Sequence, residues 1–142
     1  MNIYFACAIT GGREFEAVYQ AIVEALENEG HWVPTAHLAG AGIVALEQIV
    51  PPQEVYTRDL QWLQQADALV AEVSTPSHGV GYEIASALNM GKKVLCCHRD
   101  GRKISKMITG NTHANLSLGS YRTPEEAVEI VKKFVATAGR QS

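Results

Sequence analysis

Ala68-Leu69-Val70-Ala71-Glu72-Val73, then Ser74-Thr75-Pro76-Ser77-His78-Gly79, then Val80–Met90, is the stretch on which the fold turns. A strand with one wet face alternates apolar and polar residues. A run broken only by Glu72 reads instead as a strand covered on both faces, the usual state of a central parallel strand. The polar turn that follows leads into a helical pattern ended by Gly91. Strand, short turn and helix in that order form half of a parallel crossover unit.

The same alternation extends in both directions. Asn2–Ile9 reads as a first strand, broken by Thr10-Gly11-Gly12. Arg13–Asn28 repeats apolar residues at helical spacing (Phe15, Val18, Tyr19, Ile22, Leu26) and stops at Gly30. His31–Thr35 reads as a second strand and Gln53–Gln65 as a helix. Ala36–Pro52, rich in Gly and Ala, leaves three readings open: a loop, a short helix around Val44–Ile49, or a mobile lid. Lys92–His98 and Ala114–Leu118 read as the fourth and fifth strands. Ile104–Ile108 reads as a short helix, and Pro124–Ala136 as a final one capped by Thr123. The expectation is an α/β, Rossmann-like (flavodoxin-like) fold, a parallel five-stranded sheet with helices on both faces. Ligands of such sheets sit at the carboxyl ends of the strands, near the switch in strand order. The turns after Ala8, Thr35, Val73 and His98 are therefore the places to look.

Composition narrows the partners. With 142 residues, 46% hydrophobic and 19% charged, the chain is expected to form one domain over 1–142. A net charge of −3 offers no basic surface for a nucleic-acid backbone, so a polymeric nucleic acid is not expected. No apolar run reaches the ~18–20 residues of a membrane helix. Cys7, Cys96 and Cys97 form no C-x-x-C motif and no disulfide framework. Met1–Ala8 lacks the basic start of a signal peptide, so a reduced, cytoplasmic protein is expected.

Two carboxylates stand out. On the Gln53–Gln65 helix, at ~100° per residue from Val55, the apolar side chains fall between about −20° and 140°. Asp59 lands at about 40°, within that apolar stripe. It is either a buried, hydrogen-bonded carboxylate or an acid facing a cavity, its proton affinity open to tuning. Glu83 is expected in the first turn of the following helix. There the helix dipole favours a capping carboxylate, and would also keep it ionised, as a nucleophile must be. Its helical angle sets it beside Ala87 and Met90, at the edge of an apolar helix.

Two glycine turns open helices: Thr10-Gly11-Gly12-Arg13 and Ser77-His78-Gly79-Val80-Gly81. Each is either an anion cradle of backbone N–H groups or a tight turn that merely requires glycine. Tyr4, in the first strand, reads as core packing with a paired hydroxyl. Glu72 is either structural or pocket-lining. Trp32 and Trp62 read as core or interface residues. None of the five histidines sits at metal-ligand spacing, so neither a metal nor an organic cofactor is expected.

Read together, these residues form an ordered series: Tyr4-Phe5, Ile9, Gly11-Gly12-Arg13, then Asp59-Leu60-Gln61-Trp62-Leu63-Gln64-Gln65-Ala66-Asp67, Ala71-Glu72-Val73, and Pro76-Ser77-x-Gly79-Val80-Gly81-Tyr82-Glu83. The series resembles the 2′-deoxynucleoside 5′-phosphate N-hydrolases, within the nucleoside 2-deoxyribosyltransferase family. It continues through Gly101-Arg102 and Ser105-x-Met107-Ile108. The resemblance implies a homodimer acting on a small deoxynucleotide without cofactor. It casts Glu83 as the nucleophile at C1′, Asp59 as the group assisting departure of the base, and Tyr4 as the residue that places Glu83. Ile9, Gly11, Gly12, Arg13, Ser77 and Gly79 would bind substrate, Ser77 at the 5′-phosphate, with Ser105 reaching that phosphate across the interface. Two carboxylates flanking a glycosidic bond match the retaining glycosidase arrangement.

The first turn departs from the resemblance. Ala8-Ile9-Thr10-Gly11 has Ala8 and Thr10 where the mammalian-type pattern has Ser and Arg. Arg13, or Arg102 of a neighbour, would have to supply the missing cation. A nucleoside substrate, or transfer of deoxyribose to a second base, therefore stays open. A non-catalytic nucleotide-binding module is a third reading, though it has less need of an inward Asp59.

Overall fold

The computed structural model of the chain describes residues 1–10 and 12–140. Its centre is a parallel sheet of four strands, β1 (Ile3–Ala6), β2 (Ala68–Glu72), β3 (Lys93–Arg99) and β4 (Leu116–Tyr121), hydrogen-bonded in that order. Among the described residues, six helices surround it: α1 (Glu16–Asn28), α2 (Ile43–Ile49), α3 (Pro52–Gln65), α4 (His78–Asn89), α5 (Lys106–Thr109) and α6 (Pro124–Arg140). A 3-10 turn at Ala36–Ala39 precedes α2. None of the described helices is long and apolar enough to cross a membrane.

Strand parity divides the core. Ile3, Phe5, Ala68, Val70, Leu95 and Cys97 point to one face, where Val18, Ile22 and Leu26 of α1 and Val131 and Val135 of α6 cover them. Tyr4, Ala6, Leu69, Ala71, Val94 and Cys96 point to the other, under Leu63 of α3 and Val80, Ile84 and Leu88 of α4. β1 and β2 are buried along their whole length, as their near-continuous apolar sequences require. The helices on both faces follow the expectation; the number of strands does not.

The expected strand at His31–Thr35 is reduced to one bridge, Asn2 to Trp32, on the outer side of β1. Trp32 N–H donates to Met1 O, and Ile3 N–H to Trp32 O. The next rung of a parallel ladder needs an N–H at position 34, and Pro34 has none. Thr35 then turns its side chain in, and its Oγ1 accepts from the Phe5 N–H at 3.0 Å. The ladder is thus replaced by a single side-chain contact, and Trp32 is left 54% exposed at the margin rather than in the core. Placement still reverses direction at β1, with the Trp32 bridge on one side and β2 on the other, so the switch point lies between the carboxyl ends of β1 and β2.

Smaller differences have local causes. β4 starts at Leu116 rather than Ala114, because Asn111, His113 and Asn115 close a turn just before it. Thr123 does cap α6, accepting from Glu126 N–H at 3.2 Å. Glu72 is structural. Fully buried, it accepts from Ser74 N–H and Oγ and from the Tyr121 hydroxyl, tying the end of β2 to β4. The segment that left three readings open holds the 3-10 turn and helix α2, which starts after Gly42 at a φ of 77°.

Candidate active site

A cleft of about 570 Å³ opens at the switch point. Its floor comes from the end of β1, through Ala6, Cys7, Ile9 and Thr10. Val55, Asp59, Leu60 and Leu63 of α3 form one wall; Val80 and Glu83 of α4, with Ser77 and Gly79, form the other. Glu47 and Gln48 of α2 close the third side. Tyr56 and Tyr82 stand at the rim, more than half exposed, with ring centroids 6.3 Å apart in an edge-to-face pair.

Parity along β1 sends Tyr4 toward α3 and α4, where it is fully buried. Its hydroxyl donates to Glu83 Oε2. Glu83 lies in the second turn of α4, not the first. Ser77 accepts from Val80 N–H at 3.2 Å and so starts the helix at His78. The helix dipole therefore does not decide its ionisation. Burial dominates and pushes the Glu83 carboxyl up to about 7, helped by the negative charge of Asp59 and opposed by the Tyr4 hydroxyl. The expectation of a first-turn carboxylate kept ionised by the helix dipole is corrected accordingly. Gly79 sits one turn before Glu83 on the same face. A Cβ there would meet nothing nearer than Ser77 Oγ at 3.9 Å. The missing side chain leaves the approach to Glu83 open.

Asp59 faces the cleft from the apolar stripe of α3, as its helical angle indicates. Burial raises its proton affinity, against the pull of Arg58, whose Nε donates to Asp59 Oδ1 at 2.9 Å. Tyr4 is pushed far above the usual phenol range, by burial first and by Glu83 next, so it is a neutral donor. The Cys7 thiol is pushed up to about 12 by burial and carries little thiolate. Glu47, Asp59 and Glu83 all line the cleft, and no Lys or Arg is among the described residues that do. Nor do three His, Cys, Asp or Glu side chains cluster as a metal site among the described residues.

The remaining expected site residues divide in two. Ile9, Ser77 and Gly79 line the cleft. Gly12, Arg13 and Ser105 do not line it, and Gly11 lies outside the described residues. Gly12 has a φ of 116°, a turn that requires glycine. Arg13 is committed elsewhere, donating to Ala8 O and Gly40 O and pairing with Glu16 at 3.2 Å. Ser105 caps α5, accepting from Met107 N–H.

The sequence model of the nucleoside 2-deoxyribosyltransferase family matches residues 3–132. The chain belongs to this family. Among relatives of the deoxyribosyltransferase-family chain, a putative 2′-deoxynucleoside 5′-phosphate N-hydrolase 1 of Methanococcoides burtonii is 38% identical, covering 83% of this chain and 97% of the relative. A 5-hydroxymethyl-dUMP N-hydrolase of Rattus norvegicus is 46% identical over 77% of this chain and 69% of its own length. Among solved structures, a CMP N-glycosidase of Clostridium botulinum superposes with a TM-score of 0.72, covering 93% of this chain and 98% of that one. At 20% identity, that superposition speaks for the fold.

Sequence reasoning about the family member overlooked Arg58, Glu47 and the tyrosines at the rim. Arg58 falls on the polar side of α3, and only its contact with Asp59 brings it to the site. The signal for Tyr56 is its place within the apolar stripe, at about 100° from Val55.

Proposed function

We propose that residues 1–142 act as one domain that hydrolyses the N-glycosidic bond of 2′-deoxynucleoside 5′-monophosphates, releasing free base and 2-deoxyribose 5-phosphate. The observation that supports this reading is the convergence of Glu83 and Asp59 from two helices on one cleft, with the buried Tyr4 hydroxyl bonded to Glu83. The cleft volume lies within the ~300–1,000 Å³ of small-molecule sites.

In this reading Glu83 attacks C1′ while the C1′–N bond breaks and its electron pair leaves with the base. Asp59 delivers the proton that the base needs. Water then attacks C1′ of the glycosyl-enzyme, Asp59 takes a proton from it, and Glu83 is released as carboxylate. Tyr4 holds one Glu83 oxygen and leaves the other to react. The competent form of the pair carries one proton, so the rate should be bell-shaped in pH. It should fall as the last proton leaves, near the value of about 7 carried by Glu83.

Ser77, Ile9 and Gly79, which line the cleft, would receive the sugar phosphate. Ser105 of the partner subunit would complete that end in a homodimer. Three buried free thiols suit a reducing cytoplasm. Chromatography of free base from a panel of deoxy- and ribonucleotides, with and without 5′-phosphate, tests the reaction. Release should be greatest from deoxynucleoside monophosphates, and Glu83→Ala or Glu83→Gln should abolish it while the fold survives. Retained turnover in either variant would remove Glu83 as nucleophile. Exchange of bases without net hydrolysis would make the protein a transferase. A sedimentation mass of 15.4 kDa, that of one chain, would exclude the dimer.

A further inference from the structure

We propose that Arg58 is a positioning residue for the reaction, one that fixes the Asp59 carboxylate in the cleft and is itself held by Glu47 from α2. This inference rests on the reading of Asp59 and Glu83 as the working pair.

Neighbouring residues on a helix point about 100° apart and do not face each other. The Arg58–Asp59 contact is therefore not a product of helical periodicity; the arginine must be turned back toward its neighbour. Three groups turn it. Its Nη2 donates to Glu47 Oε1 at 2.9 Å, its Nε to Asp59 Oδ1 at 2.9 Å, and its guanidinium carbon lies 5.0 Å from the centroid of the Trp62 ring. His37 supports both sides of this clamp, 3.8 Å from Glu47 Oε1 and edge-on to Trp62 at 5.8 Å. The side chains of Arg58, Asp59 and Glu47 are 26%, 20% and 11% exposed, so solvent screens them only partly.

Among the described residues, the charged groups acting on Asp59 can each be assigned a sign. Arg58 on its own helix and His37 on the 3-10 turn favour the ionised form. Glu47 on α2 favours the protonated form; Asp59 in turn raises the proton affinity of Glu83 on α4, which Tyr4 of β1 binds. Removing the cation must raise the proton affinity of the pair, and removing the Glu47 charge must lower it. The clamp thus sets where the pH window of the pair lies, through α2, a part of the cleft wall outside β1, α3 and α4.

The test compares the wild type with Arg58→Gln, Arg58→Lys and Glu47→Gln. Carboxyl ¹³C titration reads Asp59 directly, and the pH dependence of kcat/KM reads the pair. Arg58→Gln should raise the Asp59 titration and the alkaline limb by about one pH unit. Glu47→Gln should move both the opposite way. Arg58→Lys should keep the limb near the wild type while kcat falls, because charge remains but the two-pronged geometry is lost. An Asp59 titration unmoved in both Arg58→Gln and Glu47→Gln, with only kcat reduced, overturns the proposal and leaves Arg58 a structural residue. A titration that moves while the alkaline limb does not follow removes Asp59 as the proton donor and leaves the clamp standing.

Discussion

At the scale of single residues, the pairing of Tyr4 with Glu83 is the contact on which the proposed chemistry most depends. The hydroxyl is a donor to a carboxylate, and such bonds contribute ~1.5–3 kcal/mol. Tyr4→Phe should lower kcat by about ten- to a hundredfold. It should also raise the Glu83 titration above its present value of about 7, because the donor that opposes burial is gone. An unchanged pH profile would make Tyr4 a packing residue only. Asp59 was legible in the sequence, because a carboxylate within an apolar helical stripe must either be buried with a partner or face a cavity. Glu83 was legible only through the resemblance, since by position alone it looked like a cap. Arg58 was not legible at all. Helical angle put it on the solvated side of α3, and its turn back toward Asp59 depends on Glu47 and Trp62, which no spacing rule connects.

At the scale of elements, buried strands were easier to read than marginal ones. ALVAEV announces β2 because nothing but a doubly covered strand suits it. His31–Thr35 carries the same apolar character, yet it contains Pro34, and the missing N–H outweighs the pattern. Thr35 stands in for the lost rung. Thr35→Val preserves its shape and leaves the buried Phe5 N–H without an acceptor. The expected cost is about 1–3 kcal/mol of stability, read as a lowered urea midpoint, with turnover per folded molecule unchanged. A midpoint equal to wild type would mean that the Phe5 N–H finds another acceptor. The start of α4 was misplaced by two residues for a related reason. Its glycines suggested a turn, whereas Ser77 already caps the helix.

For the whole molecule, the cleft carries a stability cost. The Glu83 carboxyl titrates near 7 in the folded chain and near the ordinary 4.5 in an unfolded one. The folded state therefore binds more protons between these values, and its stability falls as pH rises through that window. Over about 2.5 pH units the penalty amounts to roughly 3 kcal/mol. Glu83→Gln, with no charge to bury, should melt at a higher temperature than the wild type at pH 8, and the gain should shrink toward zero at pH 5. An equal gain at both values would point to packing rather than charge. A partner subunit is implied only by the resemblance, because a two-fold contact leaves no period in the sequence. The acidic wall of the cleft bears on a different quantity, the rate of encounter. Glu47, Asp59 and Glu83 outnumber the single Arg58 behind them. An isolated protomer thus repels an approaching dianion over a Debye length of ~10 Å, and added salt speeds its arrival while leaving that of a neutral nucleoside unchanged. A second protomer that brings cations to the cleft reverses that trend, so the sign of the ionic-strength dependence of kcat/KM reports which assembly the nucleotide meets.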